Sequence, residues 1–154
     1  MKISRGTARV LPVNAEGRVL LLLGQGLFVR GTRFWLSVGG GIERGETLVQ
    51  AAARELREET GIAVDPAGLG QPIGKSVIEF TSFGLLRVCQ QQTYFAVAVR
   101  DAAVSFDGQG AVERRTIAGH AWLSAESLER RAERMSDPEL PRFMRAAVAA
   151  LRPS

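Results

Sequence analysis

Cysteine is nearly absent from this sequence, and long hydrophobic runs are missing. Cys89 is the single cysteine of the 154 residues, which excludes an internal disulfide, and its apolar setting in LLRVCQQQTYFAVAV predicts a buried strand thiol. No apolar run approaches the ~20 residues that a transmembrane helix needs, so no membrane partner is expected. The start, MKISRGTARVLPV, lacks the apolar segment of a signal peptide, and we therefore expect a cytoplasmic protein.

Lysine and histidine are also scarce. Lys2 and Lys75 are the two lysines among 20 basic residues, and the remainder are arginines. The net charge of +4 favours anionic partners because the planar guanidinium suits phosphate, although a compositional bias of the genome explains the same excess. No basic run alternates with aromatic residues, so nucleic-acid binding is not expected. His120 is the only histidine, which leaves no histidine and cysteine cluster of the kind that binds zinc.

The composition that remains fits one globular domain, residues 1–154. A hydrophobic share of 45% provides enough apolar surface for a packed core and argues against disorder. No internal repeat, low-complexity tract or linker divides the chain. Segments with strand periodicity are interspersed with segments of helical periodicity, which predicts a mixed α/β chain with helices covering a sheet.

Turn-forming residues and changes of periodicity define the predicted elements. We predict strands at TARVLPV, RVLLLLG, FWLSV, SVIEFTSFG, QQTYFAVAVR and IAGHAWL, with a turn at NAEG between the first two. Loops are predicted at GQGLFVRGTR and FDGQGAVERR, and FWLSV runs into a glycine cluster at 39–41. Ser124 is predicted to cap a helix that reaches Arg134, and Pro138 to mark the start of a last helix.

The stretch GGIERGETLVQAAARELREETGI, residues 40–62, changes to helical periodicity at Thr47. Thr47 followed by Gln50 has the pattern of a capping box, in which each side chain accepts a hydrogen bond from the backbone of the other residue. Gly61 stands where a helix commonly ends in a left-handed residue. The sequence therefore predicts a capped helix between these positions.

Three acids of this predicted helix, Glu55, Glu58 and Glu59, share an arc of about 100° that borders its apolar face. The simplest interpretation is a solvated helix with ion pairs at i,i+4 spacing, such as Arg54 with Glu58. That interpretation leaves unexplained why the acids border the apolar face, where desolvation increases their mutual repulsion. A divalent cation would offset the repulsion, and oxygen ligands without clustered histidine or cysteine select Mg²⁺ or Mn²⁺ over Zn²⁺.

The same stretch resembles the Nudix box, G-x5-E-x7-R-E-U-x-E-E-x-G-U, in which U is apolar. The matching residues are Gly40, Glu46, Arg54, Glu55, Leu56, Glu58, Glu59, Gly61 and Ile62. Weaker resemblance extends to the apolar strand before the box and to AWLSAESL after it. Val38 departs from the pattern, because many members have proline before the glycine pair. The resemblance implies a Nudix-type α/β/α sandwich with a mixed central sheet.

Membership of this family would assign metal-binding and catalytic roles. Glu58 and Glu59 match metal ligands, and Glu55 matches either a further ligand or the group that orients or deprotonates the attacking water. The carbonyl of Gly39, just before the box, would complete the inner coordination shell. The expected cofactor is Mg²⁺, with Mn²⁺ as a substitute, which would neutralise phosphate oxygens and activate water.

The resemblance also implies supporting and substrate-binding positions. Arg54 and Glu46 match residues that hold the catalytic carboxylates by ion pairs and hydrogen bonds. Gly40 and Gly41 carry no side chains, so their backbone amides can approach a substrate phosphate closely.

Several candidates lie outside the box. Many members place one more acid in the loop before the late strand, where Glu113 is the first candidate metal ligand and Asp107 the second. A surface ion pair with a neighbouring arginine is the alternative for Glu113. Arg30 and Arg33 precede the third predicted strand and are candidate phosphate contacts, although solvent-facing loop arginines are common. His120 is expected to be a packed or rim residue and not a catalytic base.

We therefore expect a metal-dependent hydrolase of a pyrophosphate linkage in a nucleoside diphosphate linked to another moiety. A non-catalytic Nudix-like module that senses a nucleotide or phosphosugar is the main alternative, and a structural interaction domain is the third. The box acts on the diphosphate that all such substrates share, so nucleoside triphosphates, nucleotide sugars, ADP-ribose and dinucleoside polyphosphates all remain open. A homodimer is compatible with the family.

Overall fold

The computed structural model describes residues 2–26, 32–82, 84–100, 104–105 and 117–152. The strands of this part of the chain are β1 (Lys2–Val13), β2 (Val19–Gln25), β3 (Arg33–Leu36), β4 (Val38–Gly41), β5 (Gly74–Ser82), β6 (Leu86–Ala98), β7 (Ile117–Leu123) and β8 (Arg134–Met135). The helices are α1 (Leu48–Thr60), α2 (Ala125–Arg130) and α3 (Leu140–Ala150), with a 3-10 helix at Pro66–Leu69.

The strands form one mixed sheet. Its order is β5-β6-β1-β2-β3-β8, with β4 paired to β1 and β7 paired to β2. β1 runs parallel to β6 and β3 parallel to β8, whereas the other pairs are antiparallel. β6 covers one edge of β1 along its whole length. The opposite edge of β1 pairs with β4 at residues 7–10 and with β2 at Val13, which places the predicted glycine cluster inside the sheet.

Alternating residues of β1 supply two separate hydrophobic cores. Ala8 and Val10 face α1 and pack in the core that contains Leu56. Leu11 and Val13 point to the opposite face and pack in the core that contains α3. Both cores consist of buried aliphatic and aromatic side chains, and each fully buried leucine, valine or phenylalanine among them contributes about 1.5–3 kcal/mol. The predicted α/β/α sandwich with a mixed central sheet is therefore confirmed.

A buried carboxylate joins the start of α3 to the sheet. Asp137 is 1% exposed, and its Oδ2 accepts hydrogen bonds from Tyr94 Oη at 2.8 Å, from Gln92 Nε2 at 3.1 Å and from Ser76 Oγ. Its Oδ1 accepts the backbone N–H of Glu139 at 2.9 Å. These donors satisfy both oxygens of a polar side chain whose burial without hydrogen bonds would disfavour folding.

Several predicted element boundaries are wrong. Strands β1 and β6 each begin five residues earlier than predicted, at Lys2 and Leu86. The helix capped by Ser124 ends at Arg130 and does not reach Arg134, because residues 134–135 pair with β3 as the short strand β8. The last helix begins at Leu140 and not at Pro138. The predicted strand FWLSV is interrupted at Ser37, and Val38 belongs to a separate strand, β4, with the three glycines.

Other predictions are confirmed or fall outside the described residues. The NAEG turn is closed by a hydrogen bond from Gly17 N to Asn14 O at 3.0 Å. IAGHAWL is β7. Cys89 lies on a strand, β6, as predicted, but it is half-buried and not buried, so that part of the prediction is wrong. The predicted loop FDGQGAVERR, residues 106–115, lies outside the described residues. No helix in the described part of the chain is long and apolar enough to cross a membrane.

Candidate active site

The helix that carries the acids has the predicted caps. Thr47 Oγ1 accepts the backbone N–H of Gln50 at 3.3 Å, and Gln50 Oε1 accepts the backbone N–H of Thr47 at 2.9 Å. Gly61 ends the helix with a φ of 78° and donates its N–H to Arg57 O at 2.9 Å. Ala52 and Leu56 are fully buried against the sheet, which fixes the rotation of α1. The acids therefore lie at the edge of the buried face, as the sequence predicts.

Arg54 connects α1 to the segment that precedes it. Its Nε lies 2.7 Å from Glu46 Oε2 and its Nη2 lies 2.9 Å from Glu46 Oε1, so the pair is bidentate. The same Nη2 donates to the carbonyl oxygen of Gly41 at 3.0 Å. Glu46 Oε1 also accepts the backbone N–H of Glu43 at 2.8 Å. The loop between β4 and α1 is thus held by one guanidinium group.

Arg54 also holds two acids of the helix. Its Nη1 donates to Glu55 Oε1 at 3.0 Å and to Glu58 Oε2 at 3.2 Å. The Glu55 side chain is 16% exposed and that of Glu58 is 49% exposed. Glu58 therefore faces solvent at the rim, while Glu55 lies deeper in the site.

Replacing Arg54 by lysine should destabilise the protein by about 1–3 kcal/mol, because lysine keeps the charge but cannot make the bidentate pair with Glu46 while also bonding to Gly41. Urea unfolding without metal measures this loss. Arg57→Lys is the matched control, since Arg57 is an exposed residue of the same helix. Equal unfolding midpoints for the two variants would contradict the role assigned to Arg54.

Glu59 is the buried acid of the site. It is 9% exposed, its Oε1 accepts the backbone N–H of Gly39 at 3.0 Å, and its carboxyl group is hydrogen-bonded to that of Glu55. Burial, followed by the contact with Glu55, raises the pKa of Glu59 to about 9. A metal cation bound beside these carboxyl groups would oppose this shift and favour the ionised form of Glu59.

Gly40 allows this carboxyl pair to approach the sheet. A β-carbon at position 40 would lie 2.6 Å from Glu55 Oε1, which is well inside van der Waals contact. The middle glycine of β4 therefore faces the acids, and a side chain there would displace Glu55. This explains in physical terms why the first glycine of the box is a glycine.

The donor chemistry of these residues fits a divalent hard cation. The site offers carboxylate oxygens and glycine carbonyls and lacks nitrogen or sulfur ligands among the described residues, which favours Mg²⁺ or Mn²⁺. No three acidic, histidine or cysteine side chains in the described ranges are already arranged as a metal-binding group. Glu55 and Glu58 instead turn toward Arg54, which supplies the nearest positive charge.

The remaining predicted site residues have different outcomes. Arg33 is an exposed residue of β3, paired across the sheet with Gln25. The carbonyl of Gly41 is occupied by Arg54. His120 is exposed on β7, which agrees with a rim residue. Arg30, Glu113 and Asp107 lie outside the described residues, so their predicted roles stay predictions.

Sequence reasoning missed one charged residue near the acids. Arg9 is 9% exposed, pairs in register with Gly39, and donates from Nη1 to Ser37 O at 3.3 Å. Its signal was present in TARVLPV, where a single arginine interrupts an otherwise apolar strand.

A sequence profile of the NUDIX domain matches residues 4–146. The chain belongs to the Nudix family. In Escherichia coli (strain K12), the relative named Phosphatase NudJ is 46% identical over 54 residues, which make up 35% of this chain and 33% of the relative. This chain therefore spans about a third of the length of that Nudix relative.

Solved structures show the same Nudix fold over nearly the whole chain. A MutT protein from Methanosarcina mazei Go1 has a TM-score of 0.71 with 23% identity, covering 98% of both chains. A bifunctional NMN adenylyltransferase/ADP ribose pyrophosphatase from Francisella tularensis, complexed with AMP and a Mn ion, has a TM-score of 0.60 with 18% identity. That match covers 93% of this chain and 41% of the Francisella protein. At these identities the similarity shows the shared fold alone.

Proposed function

We propose that this Nudix protein hydrolyses a pyrophosphate linkage in a nucleoside diphosphate linked to another moiety, with Mg²⁺ or Mn²⁺ as cofactor. The contact between the buried carboxyl group of Glu59 and the partly buried one of Glu55 carries the proposal. Such a pair opposes folding at neutral pH unless a proton or a cation neutralises it. In a module selected only for stability, replacing one of these acids by glutamine would increase the free energy of unfolding at neutral pH.

The roles of individual residues follow from their positions. Glu58 and Glu59 are the proposed metal ligands, together with the carbonyl oxygen of Gly39. Glu55, oriented by Arg54 at 3.0 Å, either adds a further oxygen ligand or accepts the proton of the attacking water. When bound, the ion would neutralise phosphate oxygens and lower the pKa of a coordinated water.

Arg54 and Glu46 are proposed positioning residues. Through Glu46, the guanidinium is fixed to the loop before α1, and through Nη1 it sets the direction of the Glu55 and Glu58 carboxylates. Such a fixed arrangement contributes to phosphoanhydride hydrolysis because the reaction depends mainly on positioning and charge stabilisation. The proposed substrate contacts of Arg30, Arg33, Gly40 and Gly41, and metal ligation by Glu113, remain part of this proposal.

The relatives support the reaction class without fixing the substrate. The phosphatase name of the E. coli relative and the ADP ribose pyrophosphatase of Francisella both point to hydrolysis of phosphate esters or anhydrides. The Mn ion in the Francisella structure agrees with a divalent cofactor.

A substrate panel tests the proposal. Purified protein would be incubated with ADP-ribose, a nucleotide sugar, a dinucleoside polyphosphate and nucleoside triphosphates, each with Mg²⁺, with Mn²⁺ and with EDTA. We expect at least one substrate to release a nucleoside monophosphate when metal is present and none when it is chelated. Tight binding of a nucleotide without turnover across the panel would contradict the proposal and favour a sensing module.

The raised pKa of Glu59 predicts how stability depends on pH without metal. Because the pKa is about 9 in the folded protein and near 4.5 in the unfolded chain, the folded state retains the proton over this window. The stabilising contribution is complete below pH 4.5 and is lost as pH rises toward 9. Thermal unfolding in EDTA should therefore show a melting temperature that falls across this range.

The matched variants isolate this effect. Glu59→Gln should flatten the fall in melting temperature, because glutamine does not titrate, whereas Glu58→Gln should leave it unchanged, because Glu58 is exposed at the rim. Adding Mg²⁺ at pH 8 should raise the melting temperature of the wild-type protein. The same pH slope in Glu59→Gln as in the wild type would show that another group causes the dependence.

A further inference from the structure

The three glycines of β4 separate two oppositely charged surfaces. Gly40 faces Glu55, as described above. A β-carbon on Gly39 would lie 3.0 Å from Cδ of Arg9, and one on Gly41 would lie 3.0 Å from Nη2 of Arg5. Because side chains alternate along a strand, the acids lie on one face of β4 and the two arginines lie on the other.

The arginine face continues along β1. Arg5, Thr7 and Arg9 follow each other at alternate positions and therefore share one face of the sheet. The parallel register with β6 places Gln90 beside Arg5 and Gln92 beside Thr7. The part of this face between Arg5 and Arg9 is therefore polar. From Leu11 onward the same face of β1 is covered by the apolar core.

Three buried side-chain atoms have no hydrogen-bond partner within the described ranges. Two belong to the arginine face, Oγ1 of Thr7, a residue that is 0% exposed, and Nε of Arg9, and the third is Nε1 of Trp35 in the adjoining apolar core. The Arg9 side chain is more than nine-tenths buried and makes one hydrogen bond, to Ser37 O. Unpaired buried donors are rare because each one disfavours the folded state, and a ligand oxygen would satisfy both of those on the arginine face.

We infer that Arg5, Thr7 and Arg9 form an anion subsite that binds oxygen atoms of a substrate phosphate group. The inference rests on the proposed function for the identity of the anion. Arginine presents several N–H groups in one plane and matches the geometry of phosphate oxygens, and Thr7 adds a hydroxyl donor. Asp137 is already satisfied by hydrogen bonds from Tyr94, Gln92 and Ser76. The charge of Arg9 is attracted by Glu59 and Glu55 across the glycine strand, but neither carboxylate accepts a hydrogen bond from its Nε.

The position of β4 lets one substrate reach both surfaces. β4 pairs with β1 along one edge, and no other described strand is hydrogen-bonded to its second edge. A diphosphate that approaches this free edge meets carboxylates on one side of the glycine strand and arginines on the other. The arginine surface thus holds a phosphate group by direct hydrogen bonds, and the carboxylate surface does so only through a cation.

Binding of inorganic pyrophosphate in EDTA tests the subsite without any turnover. Isothermal titration should detect binding to the wild-type protein and a loss of at least about tenfold in affinity in Arg5→Ala and in Arg9→Met. Arg18→Ala is the control for net charge, since Arg18 is an exposed arginine in the turn before β2, and its affinity should equal that of the wild type. No metal-free binding to the wild type, or equal losses in Arg18→Ala, would overturn the inference.

Thr7→Val separates a ligand contact from a structural role. Valine has nearly the shape of threonine and removes a buried hydroxyl that has no partner in the described structure, so the melting temperature should stay the same or rise. Pyrophosphate affinity should nevertheless fall several-fold, because one donor is lost. A lower melting temperature with unchanged affinity would assign the hydroxyl a structural role and overturn this part of the inference.

The outcomes also separate this inference from the proposed function. Suppose that the protein hydrolyses a substrate with metal, and that the arginine variants keep the wild-type KM and the wild-type affinity for pyrophosphate. This result would support the proposed hydrolase activity and refute the anion subsite. If those variants lose pyrophosphate binding and no panel substrate is hydrolysed, the result would support the anion subsite and refute the proposed hydrolase activity.

Discussion

Glu59→Gln should lower the turnover number with Mg²⁺ by about 10²–10³-fold or more on the best substrate of the panel. Glutamine has the size of glutamate and still offers an oxygen to the backbone N–H of Gly39, so the hydrogen bond at 3.0 Å can persist. What disappears is the negative charge that the proposal assigns to the cation. The effect should therefore fall on catalysis and on metal affinity, and not on the fold.

The measurement is the turnover number at saturating substrate over a wide range of Mg²⁺ concentrations, with the melting temperature in EDTA recorded in parallel. Glu126→Gln is the control, because Glu126 is an exposed acid of α2 far along the chain from the box. Glu126→Gln should keep wild-type turnover. Full turnover in Glu59→Gln at any attainable Mg²⁺ concentration would remove Glu59 from the set of proposed ligands.

Local interactions made α1 predictable from the sequence. The capping box of Thr47 and Gln50 and the left-handed Gly61 act within a few residues, and the apolar period fixes which face packs on the sheet. Once the face is fixed, the positions of Glu55 and Glu59 at its border follow. The part of the candidate site on the helix could therefore be derived before the structure.

The parts that could not be predicted depend on residues distant in sequence. Asp137 is buried because Ser76, Gln92 and Tyr94 surround it, and no local pattern connects these positions. The segment around Arg134 has helical composition, yet it forms β8 because Phe34 and Trp35 offer a free strand edge to it. Tertiary pairing overrides local propensity in that segment.

The protonation of Glu59 also depends on contacts between residues that the sequence does not reveal. The sequence predicts crowded carboxylates, but it contains no information on the contact between Glu55 and Glu59 or on the burial of Glu59 against Gly39. Those contacts decide which acid has the raised pKa. Likewise, the sequence predicts glycines at 39–41 near a metal or phosphate, whereas only the pairing of β4 with β1 shows that they face two different charged surfaces.

Gly39→Ala should destabilise the fold by about 3–5 kcal/mol, near the upper limit for a single substitution. A β-carbon at this position would overlap the carbonyl oxygen of Ala8 and lie 2.8 Å from Cα of Arg9. Both are backbone atoms of the central strand β1, so neither can move without breaking the register that pairs Arg9 with Gly39. The φ of 143° adds strain, because L-residues rarely adopt it.

Gly119→Ala is the matched control, because Gly119 also lies in a strand of the sheet and a β-carbon there meets no atom within 4 Å. Alanine at 119 should be neutral or stabilise by about 0.4–1 kcal/mol through the unfolded chain. Urea unfolding of both variants in EDTA compares the two glycines without any contribution from metal binding. If Gly39→Ala were as stable as Gly119→Ala, β4 would have to lie differently against β1. The pairing of β4 with β1 would then no longer explain why three features lie close together: the carbonyl of Gly39, the carboxyl pair at Glu59 and the arginine surface.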